Sequence, residues 1–130
     1  MNNSRIVTAP DIDLDARFKV LLVDCDWSDI ERLSTSINSL NVDITLFLYG
    51  SNETDDIWCI NASKHAYATL VNCRFSGNKE ILKGFLLAQK NTWALGQSEI
   101  GAATHRNVFD IYSWLMLQYN NYSKEENNVI

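Results

Sequence analysis

Residues 18–29 read FKVLLVDCDWSD. Val20, Leu21, Leu22 and Val23 form a short uninterrupted apolar run that stops abruptly at Asp24-Cys25-Asp26. That is the pattern of a strand buried on both faces whose carboxyl end emerges into polar surroundings. In open α/β sheets, ligands bind in the crevice outside such strand ends. This one stretch therefore predicts both a fold class and the place where a site would lie.

Working outward, Ser28-Asp29-Ile30-Glu31 has the form of a capping box, which predicts a helix start at Ser28. Ile30, Leu33, Ile37 and Leu40 then recur at spacings of three and four, one apolar stripe to lay against a sheet. Residues 42–49, VDITLFLY, alternate as a second strand, with Val42, Ile44, Leu46 and Leu48 on one face and Thr45, Phe47 and Tyr49 on the other. Strand, amphipathic helix and strand make a βαβ unit, so the two strands should run parallel with a right-handed crossover. A short helix is expected from Ile57 to Ala66, and a third strand over 68–75, ATLVNCRF. Ser76-Gly77-Asn78 is read as a turn, with Asn78 capping a helix whose buried stripe is Ile81, Leu82, Phe85 and Leu86 and which runs through Trp93 to a stop at Gly96.

Residues 97–106 are small and polar, and a last helix is expected over about 107–122. It carries Val108, Ile111, Tyr112, Leu115, Tyr119 and Tyr122 on one face. Phe109, Trp114, Met116 and Leu117 widen its apolar surface; such aromatic content reads as core first and, because it is double-sided, alternatively as a partner interface or homodimer contact. The expected architecture is a three-layer α/β/α domain over 18–122 with a short, mainly parallel, Rossmann-like sheet. Counting the strands at 18–23, 42–49 and 68–75 as one to three, the strand order begins 2-1-3. Residues 1–17, with Pro10 and the alternating Asp11, Asp13 and Asp15, read as an extended arm, and 123–130 as a frayed tail.

A chain of 130 residues with 46% hydrophobic content can bury one core without disulfides or metals. The three cysteines, Cys25, Cys59 and Cys73, are widely spaced, which fits neither a disulfide framework nor paired zinc-ligand spacing and points to a reducing cytoplasm. The amino-terminal residues lack a secretory signal pattern, and no apolar run reaches the ~20 residues needed to cross a bilayer. A net charge of −5 without a basic cluster gives no support to non-specific nucleic-acid binding. The Asn-rich, Pro-poor composition fits an AT-rich coding sequence of the kind carried by phages and mobile elements.

Carboxylates gather at predicted strand ends: Asp24, Asp26 and Asp29, then Glu53, Asp55 and Asp56, then Glu80. Hard divalent cations want oxygen ligands converging from several segments, so Asp24 and Asp26 are the candidate metal ligands, and Asp24, Asp26, Asp55 and Glu80 the candidate catalytic set for Mg²⁺- or Mn²⁺-dependent phosphodiester hydrolysis. The same acids also suit the first turns of the helices that follow, where the helix dipole favours them. Cys25 lies between two aspartates that disfavour its thiolate, and His65 and His105 have no metal-ligand spacing. There is no glycine-rich phosphate loop and no GxSxG elbow.

The order LLVDCDW, LFLYGSN, FSGNKEILKGFLLAQKNTWALG resembles that of the small PIN-like, NYN-type nuclease domains over residues 18–96. The resemblance places Asp24 on the family's first metal-binding aspartate and Lys83-Gly84 on its acid inside the third helix. QSEIGAATHRN stands where the family has a strand ending in paired aspartates. It therefore implies the fold with a degenerate acidic site. VLLVDCDWSDIERLSTSI is also similar to the opening of a response-regulator receiver, with Asn72 near the phosphoacceptor position. The expectation is a non-catalytic PIN-like protein that binds another macromolecule, such as a regulatory or phage-type accessory factor. The alternatives are a divalent-metal ribonuclease using the four acids above, and an assembly protein docking through its last helix.

Overall fold

The computed structural model describes residues 4–8, 12, 18–39, 43–75, 79–95 and 108–127. Five strands, β1 (Ser4–Val7), β2 (Phe18–Val23), β3 (Ile44–Tyr49), β4 (Ala68–Asn72) and β5 (Thr92–Leu95), form one sheet in the order β1-β3-β2-β4-β5. Every pairing is parallel. Four helices among the described residues, α1 (Trp27–Asn38), α2 (Asp56–His65), α3 (Glu80–Leu87) and α4 (Val108–Asn127), complete an α/β/α sandwich of Rossmann-like type. The strands predicted from sequence sit at the centre in the 2-1-3 arrangement, as β3-β2-β4. The order does not begin there, because β1 flanks β3, and β5 closes the other edge.

The sheet is central because its inner strands are apolar on both sides. Phe18, Val20 and Leu22 point to a core shared with Ile30, Leu33 and Ile37 of α1 and with Ile111 and Leu115 of α4. Leu21 and Val23 point the other way, to Trp58, Cys59 and Ala62 of α2 and Leu82 and Leu86 of α3. The alternation predicted for 42–49 holds over β3, where Ile44 and Leu46 join the first core and Phe47 and Tyr49 the second; Val42 lies outside the described residues. Topology explains the split. The chain steps one way from β2 to β3 and the other way from β3 to β4, so crossovers of one hand place α1 and α2 on opposite faces.

Five local expectations change. The third strand ends at Asn72, because the Asn72 side chain and carbonyl accept from the Arg74 and Phe75 amides and turn the chain, so 73–75 are not strand. α1 begins at Trp27 with Asp26 at the N-cap, and no side chain caps it, so Ser28 lies inside the first turn and the capping box does not form. α3 stops at Leu87; Asn91, in a left-handed conformation (φ 61°), turns the chain into β5, so Trp93 is on a strand. Ile81 leaves the predicted buried stripe and is 90% exposed. α4 continues to Asn127, beyond the point expected to fray. Asn78, Gly96 and His105 lie outside the described residues.

α4 is anchored by aromatic contacts at the amino end of the sheet. Tyr119 meets Phe18 edge-on at 5.3 Å, and Tyr122 touches Phe18 and Tyr67. Trp114 stacks on Trp93 of β5 at 5.6 Å, so this predicted interface residue is engaged within the chain. Met116 is half-buried and Leu117 exposed; the side chain of Phe109 lies outside the described residues. No helix among the described residues is long and apolar enough to cross a membrane.

Candidate functional site

The direction of chain travel reverses about β2, so the switch point lies at the carboxyl ends of β2 and its neighbours, where an open α/β sheet binds ligands. β2 ends in Asp24, whose φ of 57° is a left-handed conformation rare for a non-glycine residue. Its amide donates to the Tyr49 carbonyl at 2.7 Å, which holds the turn against β3. After β4, the Asn72 side-chain oxygen accepts from the Arg74 amide at 3.1 Å and the Phe75 amide reaches the Asn72 carbonyl at 2.9 Å. This turn returns Arg74 across the end of the sheet.

Arg74 closes the switch point. Its Nε donates to Asp24 Oδ2 at 3.2 Å, and its Nη2 donates to the Asp24 carbonyl at 3.1 Å and to Asp26 Oδ1 at 2.6 Å. The structure thus brings the two candidate metal ligands together, and a guanidinium from this chain bridges them. Its own pKa is raised, first by the hydrogen bond to Asp26, so it stays charged. Asp29, beside them, is pushed above the usual carboxylate range by burial and then by the Asp26 charge. Cys25 is pushed up to about 12, by burial first and the Asp24 charge second, which leaves a neutral, unreactive thiol.

The other candidate acids go elsewhere. Asp55 caps α2, accepting from the Trp58 amide at 2.9 Å. Glu80 stands exposed in the first turn of α3. Asp56 belongs to a second cluster: Tyr49 donates its hydroxyl hydrogen to Asp56 Oδ1, and Lys79 Nζ donates to the Tyr49 oxygen at 2.9 Å, to Asp56 at 3.2 Å and to the Glu53 carbonyl. Lys79 also lies 4.7 Å from the centre of the Tyr49 ring, within cation–π range. The tyrosine bond, and Lys79 after it, hold the Asp56 carboxyl below its usual range. Lys83 Nζ donates to the Cys73 carbonyl at 3.0 Å, tying α3 to the loop after β4. His65 turns its Nδ1 to the Asn61 carbonyl of its own helix at 2.8 Å.

Neither Asp55 nor Glu80 is bonded into the Asp24–Asp26 pair, and among the described residues no group of three His, Cys, Asp or Glu side chains could hold a metal ion. The pair fits the guanidinium it already holds, and this geometry assigns no step to Mg²⁺ or Mn²⁺. Sequence reasoning missed Arg74 and Lys79. Each meets acids more than twenty positions away, across a crossover that only the folded sheet brings together.

On the side of β2 away from Arg74, the ends of β1 and β3 and the start of α1 enclose a cleft of about 230 Å³. Leu22, Ile30 and Leu48 line it together with Trp27, and Thr8, Asp24 and Glu53 add polar groups. Trp27 is 55% exposed at this edge, and Ile57 and Ile81, at the starts of α2 and α3, are 73% and 90% exposed. Comparison with protein-family models, with curated proteins and with solved structures finds no match.

Proposed function

We propose that the chain is a non-catalytic, PIN-like α/β protein that acts by binding another macromolecule, a protein partner above all, as a regulatory or accessory factor. The observation that carries this reading is Arg74: its guanidinium bridges Asp24 and Asp26, the residues a metal-dependent nuclease of this type needs open. Arg74 occupies one oxygen of each carboxylate and no third ligand group converges on them among the described residues, which leaves a divalent ion without a coordination set, while the carboxyl edge keeps the position of a binding site.

The surface of that edge supports docking. Trp27, Ile57 and Ile81 are large apolar side chains left in water at the start of three successive helices. Burying them against a partner is worth about 25 cal/mol per Å² of apolar area, and aromatic anchors dominate such contacts. Glu53, Asp55 and Glu80 stand exposed among them, so the preferred partner surface is basic and apolar. The three free cysteines suit work in a reducing cytoplasm.

The test is affinity capture from the source cells by the wild-type chain and by a Trp27→Ser, Ile57→Ser, Ile81→Ser variant, with folding of the variant checked by thermal unfolding. A specific protein retained by the wild type and lost from the variant is the expected result. Cleavage of RNA by the wild type in Mn²⁺, abolished by Asp24→Asn, would contradict the reading.

A further inference from the structure

We propose that the cleft between the ends of β1, β2 and β3 is a receptor for an organic cation, an alkylguanidinium or alkylammonium, supplied by an arginine or lysine side chain of the partner. The proposal rests on the binding reading above and deepens it.

Size sets the class of occupant. At about 230 Å³ the cleft is smaller than the ~300–1,000 Å³ pockets that enclose cofactor-sized ligands, yet ample for the end of one long side chain. The chemistry of the walls sets the rest. Leu22, Ile30 and Leu48 offer apolar surface to an aliphatic stem, and the half-exposed Trp27 adds an indole to the lining, the best aromatic partner for a cation. Glu53 and Asp24 supply negative charge.

Asp24 sits between two cations in this arrangement. Arg74 engages its Oδ2 from the β4 side, and its Oδ1 has no hydrogen-bond partner among the described residues. The Asp24 side chain is only 15% exposed, so an incoming cation would meet it in partly desolvated surroundings where attraction exceeds that at an open surface. The lining residues include no Lys or Arg; Arg74, on Asp24, and Lys79, on the Tyr49 hydroxyl and the Glu53 carbonyl, are the described cations bonded to its wall, and both are held in pairs of their own.

The experiment is a nuclear magnetic resonance titration of the full chain, following the Trp27 indole N–H and the Gly50 amide, both on the cleft wall. The probes are n-butylguanidinium, n-butylammonium and the neutral n-butylurea. Both cations should shift the two signals saturably, and n-butylurea should not. Trp27→Leu, read at Gly50, and Glu53→Gln should each raise the Kd by about two- to fivefold, the range expected for an exposed cation–π or ion-pair contact. Both residues are exposed, so folding should survive; amide spectra check it.

Equal shifts by n-butylurea, unchanged Kd in both folded variants, or no saturable shift by either cation would overturn the assignment. A Gly/Ser heptapeptide with one central arginine and the free polyamine spermidine separate the two sources. Tighter binding of the peptide supports a partner side chain, and tighter binding of spermidine overturns that source. If capture yields a partner lost with the edge variant while the cleft ignores cations, the cleft assignment alone fails. If the cleft binds cations but no partner is captured, the partner reading alone fails.

Discussion

Replacing Arg74 with methionine keeps most of the aliphatic stem and removes the guanidinium. Among the described residues, two ion pairs and one hydrogen bond to a carbonyl are lost. The Asp26 pair is half-exposed on both sides and contributes at most a few tenths to 1 kcal/mol. Asp24 is better shielded, so its pair belongs at the upper end, about 1 kcal/mol. Removal also leaves Asp24, Asp26 and Asp29 to repel one another. The expected loss is about 1–2 kcal/mol, which for a chain of this size lowers Tm by roughly 3–8 °C. Urea and thermal unfolding at low salt and at 1 M NaCl provide the assay. The Debye length falls to about 3 Å at 1 M, so roughly half of the loss should disappear there. A double-mutant cycle with Asp24→Asn should return a coupling of about 0.5–1 kcal/mol. An Arg74→Met protein as stable as the wild type at low salt, or equally destabilised at both salts, would refute the electrostatic argument.

Other expectations follow from single sites. Gly84 lies in the interior of α3 with nothing within 4 Å of where a Cβ would sit, so Gly84→Ala should stabilise by about 0.5–1 kcal/mol in urea unfolding. The Thr45 hydroxyl is buried without a hydrogen-bond partner among the described residues, and Thr45→Val should raise stability by about 1 kcal/mol. Leu86→Ala, at a fully buried position, should cost about 2–5 kcal/mol, whereas Ile81→Ser should change stability by less than about 0.5 kcal/mol. The Asp56 pKa is lowered in the folded state, so its contribution is present above the unfolded carboxylate value near 3.8 and fades as pH falls through the lower folded value. The advantage of the wild type over Asp56→Asn, measured by urea unfolding from pH 7 to pH 2, should therefore narrow below about pH 4. A gap that stays constant across that range would contradict the assignment.

The central sheet was legible because β2, β3 and β4 carry their own signals: an uninterrupted apolar run, a strict alternation, and an apolar stretch of the right length. The edges were not. β1 is four residues long, just ahead of Pro10 and the alternating Asp11, Asp13 and Asp15, and it becomes a strand by pairing with β3. β5 was masked because Leu86-Leu87 carries the helical apolar period of α3 straight toward Trp93; the stop is the left-handed Asn91, which has no periodic signature. At the site, the sequence identified Asp24 and Asp26 and their place at the strand end. It could not show what they bind, because Arg74 is about fifty residues away and carries no local pattern linking it to them. Within the last helix, the sequence could not show that Trp114 stacks on Trp93, since a residue that looks surplus on an isolated helix finds its contact only when an edge strand lies beneath it.

Calorimetric titration of the wild-type chain with Mn²⁺ tests the central claim most directly, because the account holds that Arg74 occupies the carboxylates at the switch point and leaves no coordination set for a divalent ion. The predicted result is no saturable heat of binding at millimolar Mn²⁺, in the wild type and in Asp24→Asn alike. Stoichiometric binding by the wild type that disappears in Asp24→Asn would contradict it and return the edge of the sheet to metal chemistry.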